Sequence, residues 1–148
     1  MKHLVYIVVF ITSFGFAQSG FEKGNVLYQK GQYEQAIQAY ESVLDSRQQS
    51  AELYFNLGNY MGNNYESAVI TAQNALKKYP STSYREELSM IILEAKYQQA
   101  VQSVFEKKIE RYRSAIDEYY NYVNEFPDGK LRKQAERIFN ESKKIVKD

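Results

Sequence analysis

Glu86-Glu87 and Asp117-Glu118 are adjacent carboxylate pairs, the residue type that glycoside hydrolysis uses as acid and as base or nucleophile. Neighbours on a helix point about 100° apart, so neither pair converges on one substrate bond. Solvated helix faces are the plainer reading, since charges seldom enter a core unpaired. Other chemistry lacks its parts. The 148 residues hold no cysteine and a single histidine, His3, which lies in a segment read below as a leader. Past that segment no Ser-His or Cys-His pair can form. Zinc would find only carboxylates and water, and no glycine-rich phosphate loop occurs. We therefore expect no cofactor, no metal and a binding protein, with a carboxylate-dependent hydrolase as the alternative of a different class.

The chain carries 19 basic and 18 acidic side chains, a balance that points to neither nucleic acid nor an anionic membrane. Lys2, the apolar run Leu4 to Phe16 and the small residues of Gly15-Phe16-Ala17 have the three parts of a secretory signal peptide over residues 1–17. The run is 13 residues, whereas a bilayer crossing takes roughly 20. Cleavage and retention as an anchor both stay open, and export to the periplasm is expected either way. Without cysteine, stability comes from packing.

Three segments repeat one pattern: Tyr33-Glu34-Gln35-Ala36-Ile37, Tyr65-Glu66-Ser67-Ala68-Val69 and Tyr112-Arg113-Ser114-Ala115-Ile116. Each continues in register, as Ala36-Tyr40-Val43-Leu44, Ala68-Ala72-Ala75-Leu76 and Ala115-Tyr119-Tyr122-Val123. Offsets of four, seven and eight place one apolar stripe along a helix. Pro80 and Pro127 follow at the same distance from Ala68 and Ala115, and proline ends helices. Gly24-Asn25 and Gly58-Asn59 lie 34 residues apart upstream. This pattern resembles the tetratricopeptide (TPR) repeat, a pair of antiparallel helices. The resemblance implies an all-α, right-handed α-solenoid of three TPR-like hairpins (about 18–49, 50–82 and 83–128) plus a C-terminal capping helix over 129–147.

The copies also differ. Gly58 to Ala68 is two residues shorter than Gly24 to Ala36, so Gly62-Asn63-Asn64 must form a tight turn after a helix ending near Met61. Ser83 and Glu86 fit a capping box. From there the apolar pattern Leu88, Ile91, Ile92, Ala95, Ala100, Val101 and Val104 predicts a helix of five or six turns, then a charged connection over Phe105 to Glu110. Asp128-Gly129 starts the last helix, with Lys130, Arg132, Lys133, Glu136, Arg137 and Lys143 as its solvated face. Lys77-Lys78 and Lys143-Lys144 are short basic pairs that could touch lipid headgroups, but at helix ends they also complement the dipole, which is the plainer reading.

Tyr79-Pro80-Ser81-Thr82-Ser83-Tyr84-Arg85-Glu86-Glu87, the long helix, Glu106-Lys107-Lys108 and Glu125-Phe126-Pro127-Asp128 resemble the BamD family of outer-membrane β-barrel assembly lipoproteins. Gln18 to Asn25 is similar instead to exported TPR proteins of the aerotolerance, BatE-like type. The first resemblance implies protein partners in outer-membrane assembly, with any membrane association running through them; the second implies a general periplasmic adaptor. A BamD relative would carry a lipid-bearing cysteine, which this sequence lacks. Repeat arrays bind on the face of their first helices. Here that face is expected to present Phe21, Asn25 and Tyr28, then Glu52, Phe55, Asn56 and Asn59, then Tyr84, Glu87 and Leu88. Asn25 and Asn56 match the asparagines of a carboxylate clamp, but Phe21, Tyr84 and Leu88 replace its basic residues. An extended or helical segment with aromatic anchors is the expected ligand.

Overall fold

The computed structural model describes residues 20–43 and 62–147, and among these the chain is all helix and turn. The leader and the expected helix end at Met61 lie outside the described residues. Among the described residues six helices run in order: α1 over 20–29, α2 Tyr33–Glu41, α3 Tyr65–Lys78, α4 Arg85–Val101, α5 Phe105–Glu125 and α6 Arg132–Lys147. Packing is sequential, α3 on α4, α4 on α5 and α5 on α6, and α6 also touches α4.

The three alanine stripes form the seams between helices. Ala36, Ala68 and Ala115 are 0%, 0% and 1% exposed. The positions four and seven residues further on are buried too: Tyr40 and Val43, Ala72 and Ala75, Tyr119 and Tyr122. Burial at those offsets is what a 3.6-residue period produces when one stripe faces a neighbour. Gly24 supplies the matching recess on α1. A Cβ there would stand 2.3–2.8 Å from three atoms of the Tyr40 ring, so the ring rests directly on the α1 backbone.

Helix ends repeat in geometry as well as in sequence. The residues before α2 and α3, Gln32 and Asn64, have nearly the same backbone angles, φ −85° with ψ 63° and φ −84° with ψ 57°. The residues after α3 and α5, Tyr79 and Phe126, pair likewise at φ −127°, ψ 71° and φ −124°, ψ 66°. A proline follows each, and both residues leave helical geometry. The tight turn sits where the shortened spacing requires it, with Asn63 at φ 63°.

α4 is the centre of the larger segment. Every residue from Leu88 to Leu93 is buried, so this stretch of the helix is covered all round. On one side Leu88, Ile91, Ile92 and Ala95 pack with Ala68, Ala72 and Ala75 of α3. On the other, Met90 and Leu93 pack with Tyr119 and Tyr122 of α5 and with Ala135 and Ile138 of α6.

Four expectations are corrected. The helix expected to continue through Val104 ends at Val101. The residue capping α4 is Tyr84, without a side-chain cap, and Glu86 bonds elsewhere, so Ser83 and Glu86 form no capping box. Phe105 to Glu110 is the first part of α5 and no linker, because its Glu, Lys and Ile residues are compatible with a solvated helix. Tyr112 therefore enters two turns inside α5, whereas Tyr33 and Tyr65 each start a helix. The last helix begins at Arg132, after a turn at Gly129.

Gly24→Ala should destabilise the protein by about 1–3 kcal/mol in chemical denaturation, because the wholly buried Tyr40 ring has no room to retreat. Alanine's better helix propensity would reverse that sign if the contact were slack.

A candidate partner-binding face

On α1 the three expected face residues turn partly inward. Phe21 and Tyr28 pack against the buried Ala36–Tyr40 pair. The Phe21 and Tyr40 rings are 5.9 Å apart, and the Tyr28 ring meets Tyr33 edge-on at 5.5 Å. Asn25 accepts a 2.8 Å hydrogen bond from the Tyr40 hydroxyl at its Oδ1. Its amide thereby fixes the hairpin, and only its remaining edge can face a ligand. Glu52, Phe55, Asn56 and Asn59 lie outside the described residues.

On α4 the expected face divides. Tyr84 is half-buried against the α3–α4 core and Glu87 is half-buried. Leu88 is 1% exposed and belongs to that core, so it cannot line a docking face. Because α4 is covered on all sides from Leu88 to Leu93, its apolar periodicity there does not single out an open one.

Glu86 does the work that sequence reasoning gave to a cap. Its Oε1 accepts from the Tyr122 hydroxyl at 2.7 Å and from the Leu131 backbone N–H at 2.9 Å. One carboxylate thus ties α4 to α5 and to the turn that starts α6. Gly129 leaves space for it, since a Cβ there would lie 2.6 Å from the same oxygen. The Leu131 N–H foremost, helped by the Tyr122 hydroxyl, holds the Glu86 carboxyl below its ordinary value of 4.5. Burial, then the facing carboxylate, raises the Tyr122 hydroxyl.

Two further carboxylates join α4 to α6. Glu141 accepts from the Tyr97 hydroxyl at 2.6 Å, which lowers its pKa. Burial, and after it the Glu141 bond, pushes Tyr97 up to about 12. Glu94 accepts from Gln134 and is raised by burial. Glu118 pairs with Lys96 at 2.5 Å. Each carboxylate pair considered for catalysis therefore has one member, Glu86 or Glu118, engaged in helix packing.

A joint with no counterpart in the sequence reading occurs twice. Arg85 donates from Nη1 to the Pro80 carbonyl at 3.1 Å and from Nε to Glu125. Arg132 donates to the Pro127 carbonyl and to Glu136. The signal was present as an aromatic-Pro pair followed five residues later by arginine, repeated 47 residues apart.

Open hollows flank the first hairpin. One, of about 510 Å³, lies beside α1 and α2 and includes Lys23, Leu27, Gln35 and Gln38. Another, of about 450 Å³, joins the α1–α2 turn at Gly31 and Gln32 to the turn at Gly62 and Asn63. Among the described residues no cluster of potential metal ligands occurs, and no helix is long and apolar enough to cross a membrane.

A family model described as TPR repeat matches residues 24–64. The match supports a TPR protein and, with it, a module for protein–protein interaction. A search of curated proteins finds no match.

Because the Glu86 pKa is lower folded than unfolded, its stabilisation is complete above about pH 4.5 and disappears as pH falls through the folded-state value. Glu86→Gln should lose about 1 kcal/mol at neutral pH and show a smaller further loss between pH 6 and about pH 3 than the unaltered protein. Thermal melts across that range read the difference; Glu94, of opposite sign, is common to both proteins and cancels.

Proposed function

We propose that this chain is an exported, non-catalytic scaffold of the bacterial envelope, acting in outer-membrane β-barrel protein assembly in the manner of BamD. The observation that carries the reading is the joint between α3 and α4. The residues that resemble the BamD family, Tyr79-Pro80 through Arg85-Glu86, are the residues that fasten successive helices, through the Pro80 carbonyl, Glu125, Tyr122 and Leu131. A right-handed solenoid is the arrangement this reading assumes, with α6 as its closing helix. Clients would meet the amino-terminal part through Phe55, Asn56 and Asn59, together with Tyr84 and Glu87. The long helices would meet the assembly machinery.

The absence of cysteine favours a second reading, a periplasmic adaptor of the aerotolerance type, because no thiol exists to carry a lipid. Both readings place the protein in the periplasm, after a leader over residues 1–17.

Affinity purification of the tagged protein from its own cells separates them. Components of the β-barrel assembly machinery should be retained. Recovery of inner-membrane or stress proteins without those components would reject the BamD-like role and leave the adaptor.

A further inference from the structure

α6 concentrates charge that the chain as a whole conceals. Its sixteen residues hold six basic and two acidic side chains, a net +4 in a protein of net +1. Both acids are engaged: Glu136 by Arg132, and Glu141 by Tyr97 and Arg137. The buried side of the helix is Ala135, Ile138 and Ser142. At 100° per residue, Lys133, Arg137, Asn140, Lys144 and Lys147 fall together on the opposite side, in a row about 21 Å long. All five are exposed. Lys143 stands at the edge of this row, over the Phe139 ring at 5.3 Å. Asn140, Lys143, Lys144 and Lys147 border a shallow hollow of about 480 Å³.

From this charge pattern we propose that the outer face of α6 docks on an anionic phospholipid bilayer. No carboxylate is among the five; Glu141 lies at the edge of the row against Arg137, which leaves Lys133, Lys144 and Lys147 as cations with positive charge to spare for a negative surface. The face belongs to a single convex helix, which suits a plane of dispersed headgroups better than an extended acidic peptide. Three of its four cations are lysines on flexible stems, which act as point charges toward phosphates without demanding one geometry. No aromatic ring lies within the row to stack a nucleic-acid base. Burial of the opposite side against α4 and α5 fixes the row outward, so docking sets the orientation of the whole array on the membrane. The helix-end role assigned to Lys143 and Lys144 is thereby widened, because they belong to a row reaching back to Lys133. This inference concerns charge and does not depend on the assembly role proposed above.

Co-sedimentation of the full chain with phosphatidylcholine vesicles, with and without phosphatidylglycerol, tests it. The apolar amino-terminal run contributes to both vesicle types and cancels in the difference. Binding should rise with phosphatidylglycerol and vanish at about 0.5 M salt. The variant Lys133→Gln/Lys144→Gln/Lys147→Gln should lose about fivefold in affinity per lysine, or about a hundredfold in all, with an unchanged circular dichroism spectrum. Equal binding to both vesicle types would overturn the proposal. So would an unreduced anionic increment in the variant, or lysine-dependent binding of polyglutamate or DNA without binding of vesicles.

Discussion

Close approach of helices at residues without bulk is the constraint on which the rest of this molecule depends. Ala36, Ala68 and Ala115 are almost completely buried, and Gly24 lies directly beneath the Tyr40 ring. A methyl group contributes little apolar area, so the alanines are not the source of the burial energy. They let neighbouring helices come near enough for larger groups to fill the space beside the seam. Tyr40, Leu88, Leu93 and Tyr122 are the groups so placed, each under 2% exposed or close to it. A larger side chain at a seam would separate two helices and expose what those residues now cover.

Around those seams, polar contacts select the order and angle of packing. Glu86 receives hydrogen bonds from both α5 and the start of α6, so α6 is positioned by the first turn of α4, about 45 residues earlier. The arginine that begins α4 and the one that begins α6 face the same problem. A cation at a helix amino terminus opposes the macrodipole, and each donates to a proline carbonyl and to a glutamate. The proline-carbonyl half of the junction is thus used twice, while the glutamate is Glu125 on α5 in the first case and Glu136, one turn along α6 itself, in the second.

The parts legible in the sequence were those set by local period. The stripes from Ala36, Ala68 and Ala115, the turn at Gly62-Asn63 and the helix stops before Pro80 and Pro127 depend on residues a few positions apart. What escaped was set by distant partners. Ser83 and Glu86 have the spacing of a cap, but the Leu131 N–H and the Tyr122 hydroxyl compete for the Glu86 oxygen and win it. Phe105 to Glu110 looked like a connection because it is polar, yet charged residues extend a helix readily where one face alone needs cover. Leu88 was assigned to a docking face because periodicity marks an apolar side without saying whether a neighbour already occupies it; from Leu88 to Leu93 of α4 the neighbours occupy every side. Asn25 combined both cases, since the amide expected to meet a ligand holds Tyr40. On α6 the basic residues were legible as a solvated face, but which of them align in one row follows only from the burial of Ala135, Ile138 and Ser142 on the opposite side.

The seam at Ala115 offers the most direct test, because enlarging it adds apolar surface while removing the close approach. Equilibrium denaturation of Ala115→Leu should show a loss of about 1–3 kcal/mol relative to the unaltered protein, as the added side chain forces α5 away from its neighbours. Unchanged or increased stability would mean that the seam has room to spare and that close helix contact at alanine does not hold this array together.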